Sequence, residues 1–203
     1  MLHFENVNKR LREMGRQDLL RSSAVRPDDL FARILHSLKP RPKAIVEIGT
    51  YRGIATIVLA SMAPVVTFDV VHQEIAEKVW EAFGVRDQIE YVIIEAYKEG
   101  YDRETAKKIG IHRIIKEGID HDLANAKIRQ YLEETNVQAD LTFIDGTHKY
   151  KACKADHEAT MHYGRTIFHD TIPKYIGVMK LMQEIEARTI NEFGIWKDKS
   201  KYR

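Results

Sequence analysis

Four places in the sequence put reactive side chains at the end of an apolar run: Glu47 in 44–48, Asp69 closing 65–69, Asp145 after 141–144, and His169-Asp170 after 165–168. Carboxylates and imidazoles bind hydroxyls, hold divalent cations and move protons. Between the first two lies Glu47-Ile48-Gly49-Thr50-Tyr51-Arg52-Gly53, an E-x-G-x-x-x-G turn. Its first glycine permits a sharp bend and close approach of a ligand, and its second lets the following helix pack near the sheet. It departs from the G-x-G-x-x-G fingerprint of dinucleotide sites, because Tyr51 would crowd a pyrophosphate. The turn therefore fits a cofactor without phosphate. Asp69, one strand further on, has the chemistry to accept both hydroxyls of a ribose. A structural glycine turn and a helix-capping acid are the plainer accounts of each feature alone, and their pairing is what points to a nucleoside.

The second group lies further along the chain. Two carboxylates and an imidazole on neighbouring strand ends, Asp145, His169 and Asp170, make a mixed N/O cation site. Its oxygens favour Mg²⁺ or Mn²⁺, while the imidazole leans toward Mn²⁺, Fe²⁺ or Zn²⁺. The alternative is that Asp145 orients a cofactor or substrate while His169 and Asp170 hydrogen-bond their loop. His148 stands three residues past Asp145 and can face the same pocket. An ordinary imidazole pKa of ~6.5 suits it to remove a proton from a hydroxyl, although a turn histidine also serves as a hydrogen-bonding support. Asp156 is accounted for equally by a cap or salt bridge, His157 and His162 by packing or solvent exposure, and the lone Cys153 by packing.

Elements must bring these positions together. The first 38 residues read as helix, with Leu30, Phe31, Ile34, Leu35 and Leu38 forming an amphipathic stripe after the start signals Pro27-Asp28-Asp29. Strand, tight turn and buried helix follow over 44–62, then a β-branched strand at 65–71, a helix at 73–83 and an apolar stretch at 89–94. The charged stretch 95–140 holds two candidate helices, 103–109 and 123–134, and a strand-like run at 113–116 that competes with 89–94 for the third place in the sheet. Later strands at 141–144 and 165–168 alternate with helices at 151–162 and 178–190, and the tail 193–203 offers a last strand. Such alternation predicts an α/β fold with a doubly wound, mostly parallel Rossmann-like sheet covered on both faces. Ligands of such sheets bind beyond the carboxyl ends of the strands, where the reactive residues fall.

At these residues the sequence resembles a family. Residues 45–53 followed by Phe68-Asp69 look like motif I and the ribose acid of class I S-adenosylmethionine-dependent methyltransferases. DLTFIDGTHKY at 140–150 and TIFHD at 166–170 resemble a narrower, methyltransferase domain 24-like branch with an IDG-x-H-x-Y signature. That branch is related to catechol-type and macrocin-type sugar O-methyltransferases and to cephalosporin hydroxylase-like proteins. The resemblance spans roughly residues 27–190. It implies cofactor-binding roles for Glu47, Gly49, Thr50, Tyr51, Gly53 and Asp69, and a divalent cation at Asp145, His169 and Asp170. Relatives commonly carry Asp-Asp, Glu-Asp or Asp-Asn where this chain has His-Asp. The family fold usually closes with a β-hairpin, for which the chain leaves little room, so a shortened sheet edge covered by a second subunit is expected.

Composition sets the remaining bounds. The 203 residues, 44% apolar and 31% charged, suit one α/β core, divided here into a basic helical segment at 1–39 and a cofactor-binding domain at 40–203 carrying the charged insertion 95–140. No apolar run is long enough for a membrane span, and the charged N-terminus lacks the features of a secretory signal, so a cytoplasmic enzyme is expected. Net charge is +2, yet residues 1–43 hold ten Lys/Arg against five acids. A solvated helix face accounts for this, as does contact with nucleic acid. The Asp/Asn-Pro-Pro-Tyr strand end that marks amino-methylating nucleic-acid enzymes is replaced by Ile144-Asp145-Gly146-Thr147, which argues against a nucleic-acid partner. The expected activity is methyl transfer to a hydroxyl of a small molecule or sugar, with His148 and Asp145 as catalytic residues. A nucleic-acid methyltransferase, and a cofactor-binding or oxygenase-like relative without methyl transfer, are the alternatives.

Overall fold

Successive side chains of a strand face opposite sides of its sheet. In β1 (Ile45–Ile48), all buried, Ile45 joins the core on one side while Val46 and Ile48 join the core on the other. The computed structural model describes residues 4–22, 29–110 and 113–197. It adds β2 (Val65–Asp69), β3 (Ile89–Ile93), β4 (Leu141–Ile144) and β5 (Arg165–Phe168) as parallel partners, and closes with β6 (Arg188–Ile190) and β7 (Phe193–Lys197). The order is β3-β2-β1-β4-β5-β7-β6, with β7 antiparallel to both neighbours. Because β1 and β4 are adjacent but far apart in sequence, the strand order reverses between them. A crevice opens at such a point beyond the carboxyl ends of the strands.

One face of the sheet packs against the N-terminal helices α1 (Phe4–Glu13), α2 (Gln17–Ser22) and α3 (Asp29–Ser37), with α4 (Ile54–Ala60) and α5 (Glu74–Phe83). The predicted stripe is real: Phe31, Ile34, Leu35 and Leu38 are buried, and Phe31 lies 4.8 Å from Phe143 and 5.3 Å from Phe193, ring centre to ring centre. Pro27 and Asp28 of the start signals lie outside the described residues. The other face carries α7 (His121–Thr135), α8 (Tyr150–Thr160) and α9 (Ile176–Glu184). Within 95–120, α6 (Arg103–Ile109) and a π-helical turn, Ile114–Gly118, form a small cluster through Ala106, Ile114 and Ile119.

Three expectations change. The strand-like run 113–116 is that π-helical turn, and β3 at 89–93 takes the third place in the sheet beside β2. The helix expected over 178–190 ends at Glu184. Glu186 takes a left-handed conformation, φ +52°, and the Ala187 N–H returns to Met182 O, freeing 188–190 to form β6. The sheet edge is therefore not shortened. The hairpin β6–β7 turns at Asn191-Glu192 and seats against β5, so the edge left open for a second subunit is filled by the chain itself. Residues 198–203 of the expected last strand lie outside the described residues.

Two buried polar contacts tie the fold to the glycine turn and to the N-terminal segment. Trp80, fully buried in α5, donates from Nε1 to Gly53 O at 3.0 Å. Gly53 has φ +73°, and a Cβ there would stand 2.4 Å from that indole nitrogen, so helix and turn meet only because the residue is glycine. Trp80→Phe removes one of the two donors to the Gly53 carbonyl, leaving the Ile57 N–H at 3.2 Å. The expected result is a loss of ~0.5–1.5 kcal/mol, read as a lower urea midpoint at constant slope; an unmoved midpoint would mean that the bond adds nothing net. At the opposite end of the sheet, Arg165 is buried and donates to Pro40 O at 2.9 Å and Lys39 O at 3.4 Å, fixing the segment that leads into β1.

Candidate active site

The crevice above β1 and β4 is a cavity of about 260 Å³. Gly49, Tyr51 and Asp69 line it from one side, and Asp145, His148 and Asp170 from the other. Of the residues expected to bind a cofactor, Glu47, Thr50 and Gly53 stand behind the wall. Strand alternation turns Glu47 toward α4, where its Oε2 accepts hydrogen bonds from Thr56 and Thr67, each at 2.6 Å. The Thr50 hydroxyl lies 2.6 Å from that of Thr67, extending the same buried network. Burial outweighs the two threonine hydroxyls and pushes the Glu47 carboxyl up to about 8. Glu47 thus supports the turn from beneath.

The turn is built for close approach. Gly49 adopts φ +97°, and a Cβ on it would lie 2.5 Å from the Asp145 carbonyl oxygen, so the loops after β1 and β4 touch backbone to backbone. Tyr51 also has a positive φ of 47°, which aims its N–H at Asp69 Oδ2, 2.7 Å away. Asp69 Oδ1 accepts from Val70 N at 2.7 Å and from Val71 N at 3.3 Å. Burial raises the Asp69 pKa, and these backbone donors oppose the rise. They lock the carboxylate at the cavity wall.

Asp145 and His169 end β4 and β5, which are in register, so their side chains meet: His169 Nδ1 lies 3.1 Å from Asp145 Oδ1 and 3.5 Å from Asp170 Oδ1. Burial would lower the His169 pKa, but the hydrogen bond to Asp145 and the charges of Asp145, Asp170 and Glu192 together hold it above the usual value. Asp145 is raised by burial against the pull of His169. Asp170 sits at φ +59°, a conformation that costs a non-glycine residue ~1 kcal/mol or more and recurs where a side chain must be aimed. His148 is stacked on Tyr175, 3.9 Å between ring centres, and its Nε2 approaches Asp170 Oδ2 to 2.5 Å. That approach does not have hydrogen-bond geometry.

The donor atoms of Asp145, His169 and Asp170 all lie within 4.8 Å of one another. Neighbouring ligands of an octahedral cation with bonds near 2.1 Å are about 3 Å apart. The 3.1 and 3.5 Å separations around His169 Nδ1 are of that size, so the set fits a divalent cation placed among the three groups.

Several cavity residues escaped sequence reasoning. Tyr175 carries no motif. Asp120, which caps α7 by accepting from Leu123 N at 3.0 Å, gives the signal that could have placed His121 at a helix start facing the cavity. His157 is buried between Phe168 and Trp196, and burial lowers its pKa to about 4, which makes it a packing residue.

A seven-stranded sheet of this order, with a glycine turn after β1 and acids ending β2 and β4, is the fold of the class I S-adenosylmethionine-dependent methyltransferases. A family model described as a methyltransferase domain matches residues 46–171, more than half of the chain, and the chain belongs to that family. A comparison with curated proteins finds no match. Among solved structures, the chain is similar to an O-methyltransferase from Bacillus cereus in complex with S-adenosylhomocysteine, at 17% identity over 93% of this chain and 87% of that one, TM-score 0.58. It is similar to TomG of Streptomyces achromogenes, an O-methyltransferase of tomaymycin synthesis solved with S-adenosylmethionine, at 17% identity over 93% and 79%, TM-score 0.52. It also resembles MycE of the mycinamycin pathway, solved with Mg, S-adenosylhomocysteine and mycinamycin VI, at 9% identity over 94% of this chain and 54% of that one, TM-score 0.55. Family and fold together make the protein an S-adenosylmethionine-dependent methyltransferase. No helix among the described residues is long and apolar enough to cross a membrane.

Proposed function

We propose that this methyltransferase acts on a hydroxyl oxygen of a small molecule or sugar. The observation that carries this reading is the meeting, in one cavity, of the Gly49 turn and Asp69 with the cluster of Asp145, His169 and Asp170. MycE, of similar fold, was solved with Mg, S-adenosylhomocysteine and mycinamycin VI. The turn and Asp69 would hold the cofactor's methionine and ribose, and Asp145, His169 and Asp170 would hold a divalent cation, which lowers the pKa of a bound hydroxyl. His148, on the rim and steadied by Tyr175 and Asp170, would take the hydroxyl proton as the oxygen attacks the methyl carbon. The new O–C bond would form as the C–S bond broke, giving S-adenosylhomocysteine and the methylated oxygen, with the proton held on His148. The sulfonium is already activated, so alignment and deprotonation are the protein's work.

Calorimetric titration with S-adenosylhomocysteine tests the cofactor half of this reading. Saturable binding with a Kd of ~1–100 μM is expected, corresponding to about −8 to −5.5 kcal/mol. No binding, with and without Mg²⁺ or Mn²⁺, would sink it. The cation half predicts that Mn²⁺ binds the protein and that Asp145→Asn weakens this binding by tenfold or more, roughly the loss of one charged ligand. Equal Mn²⁺ affinity in the two proteins would remove the cation from the scheme.

A further inference from the structure

Glycine costs a helix interior about 1 kcal/mol relative to alanine, so one in the first turn of a helix calls for a reason in packing or function. Gly177 is the second residue of α9. A Cβ on it would stand 2.4 Å from His148 O, 2.5 Å from Tyr150 N and 3.1 Å from Lys149 C. All three are main-chain atoms of the stretch that follows β4 and opens α8, and they cannot swing aside as the end of a side chain can. The first turn of α9 thus lies on the backbone of 148–150 with no space for a methyl group.

This contact sits beside the reactive rim of the cavity. Tyr175, the residue before α9, is tied to its first turn because its carbonyl accepts from Val178 N at 3.0 Å and from Met179 N at 3.1 Å. Its ring stacks on His148, and both residues line the cavity. On the other side His148 Nε2 faces Asp170 Oδ2. With 40% of its side chain exposed, this imidazole is not held by burial, so its neighbours fix its direction. The rest of α9 is anchored elsewhere: Val178, Leu181 and Met182 share a core cluster with Cys153 of α8, and Glu184 accepts from Tyr150 Oη and Lys154 Nζ. A Cβ at 177 would be relieved where least holds the helix, by tilting its first turn off 148–150 and carrying Tyr175 away from His148.

We infer that Gly177 is a positioning residue of the methyl-transfer site. By letting α9 rest on the main chain of 148–150, it holds the His148 ring between Tyr175 and Asp170 on the cavity rim, where an acceptor hydroxyl would lose its proton. The inference rests on the role of His148 proposed above and adds a residue that is itself outside the cavity wall. Proton removal falls steeply when the base is misplaced, so a shift of the first turn of α9 acts on it at a distance.

The test compares Gly177→Ala with wild type by nuclear Overhauser contacts and calorimetry. Wild-type protein, free of ligand, shows contacts between the His148 and Tyr175 ring protons and between the Gly177 α-protons and the Tyr150 amide. Gly177→Ala abolishes the ring contact while S-adenosylhomocysteine binds within about twofold of wild type, because Gly49, Tyr51 and Asp69 line the opposite side of the cavity. A purely structural glycine would lower the variant's urea midpoint and leave the ring contact intact, and that result overturns the inference. So does loss of the contact accompanied by a larger drop in cofactor affinity, which marks disruption of the whole site. Absence of the contact between Gly177 and Tyr150 in wild type overturns it too, an arm that stands even where Gly177→Ala does not fold. Wild-type protein that keeps its ring contact but binds no S-adenosylhomocysteine would reject the cofactor reading instead, and the ring contact, measured without ligand, would still decide the part played by Gly177.

Discussion

Gly49→Ala should lower the affinity for S-adenosylhomocysteine by about 100-fold and destabilise the protein by ~2–4 kcal/mol, the largest combined effect expected of any single methyl group added near the cavity. Two independent penalties act at this position. The backbone is at φ +97°, which an L side chain rarely adopts. The added Cβ would also stand 2.5 Å from Asp145 O and 2.8 Å from Gly146 Cα, backbone atoms that cannot swing aside as a side chain can. Relief must come from parting the loops after β1 and β4, whose ends are joined by Asp145 N donating to Ile48 O at 2.9 Å. Parting them moves Asp145 away from its contact with His169 and draws Tyr51 N–H from Asp69, so the cofactor wall and the acceptor cluster are disturbed together. Stability is read from denaturant midpoints and affinity by calorimetry. Affinity within threefold of wild type would show that the closeness of these two loops is immaterial to the site.

The parts of the structure that were legible in the sequence are those governed by short-range patterns. β1, β2, β4 and β5 each appear as a brief, mostly apolar run, because a central parallel strand is buried on both faces; Glu47, Thr67, Thr142, Arg165 and Thr166 are the buried polar members. Asp69, Asp145, His169 and Asp170 could be placed at strand ends for the same reason. The end of α9 was hidden because Glu186 adopts the left-handed conformation usually signalled by glycine, and Ile185 and Ile190 continue the helical period past the true stop. The hairpin β6–β7 was hidden too: its turn at Asn191-Glu192 lacks glycine, and β6 is only three residues long. The π-helical turn at 114–118 resembles a strand in composition, since Ile114 and Ile115 are β-branched, and only its packing on Ala106 settles its form.

What composition could not reveal is the direction of a side chain at a strand's carboxyl end. Glu47 and Asp69 look alike in sequence, an acid each at the close of an apolar run. The register of β1 with β2 pairs Glu47 with Thr67 and sends its carboxyl under the turn, while Asp69, two residues further along, reaches the cavity. Likewise Asp156 and His121 lie on helices whose facing surfaces are set by the packing of α7 on α8, a contact with no local signature.

The position of Glu47 makes its carboxyl a source of pH-dependent stability, and Glu47→Gln should isolate it. The folded protein holds the Glu47 proton up to about pH 8, because burial disfavours the charge, whereas an unfolded chain releases it near the ordinary value of 4.5. Between those limits the folded state binds more protons than the unfolded state. Stability from this group is therefore fully present below pH 4.5 and declines as pH rises toward 8, at most by ~1.4 kcal/mol per pH unit. Glutamine is neutral throughout and can still accept from Thr56 and Thr67 through its carbonyl oxygen, so any penalty from its unpaired amide is independent of pH. Urea midpoints measured for both proteins from pH 5 to pH 8 should diverge in favour of the variant, by ~2–4 kcal/mol across the range. Taking the difference between proteins removes most of the titration of Asp69, Asp145 and His169, leaving only the part by which the charges of Asp69 and Asp145 act on Glu47. Parallel curves would mean that Glu47 releases its proton at the same pH folded and unfolded, and that the threonine hydroxyls fully offset the burial of its charge.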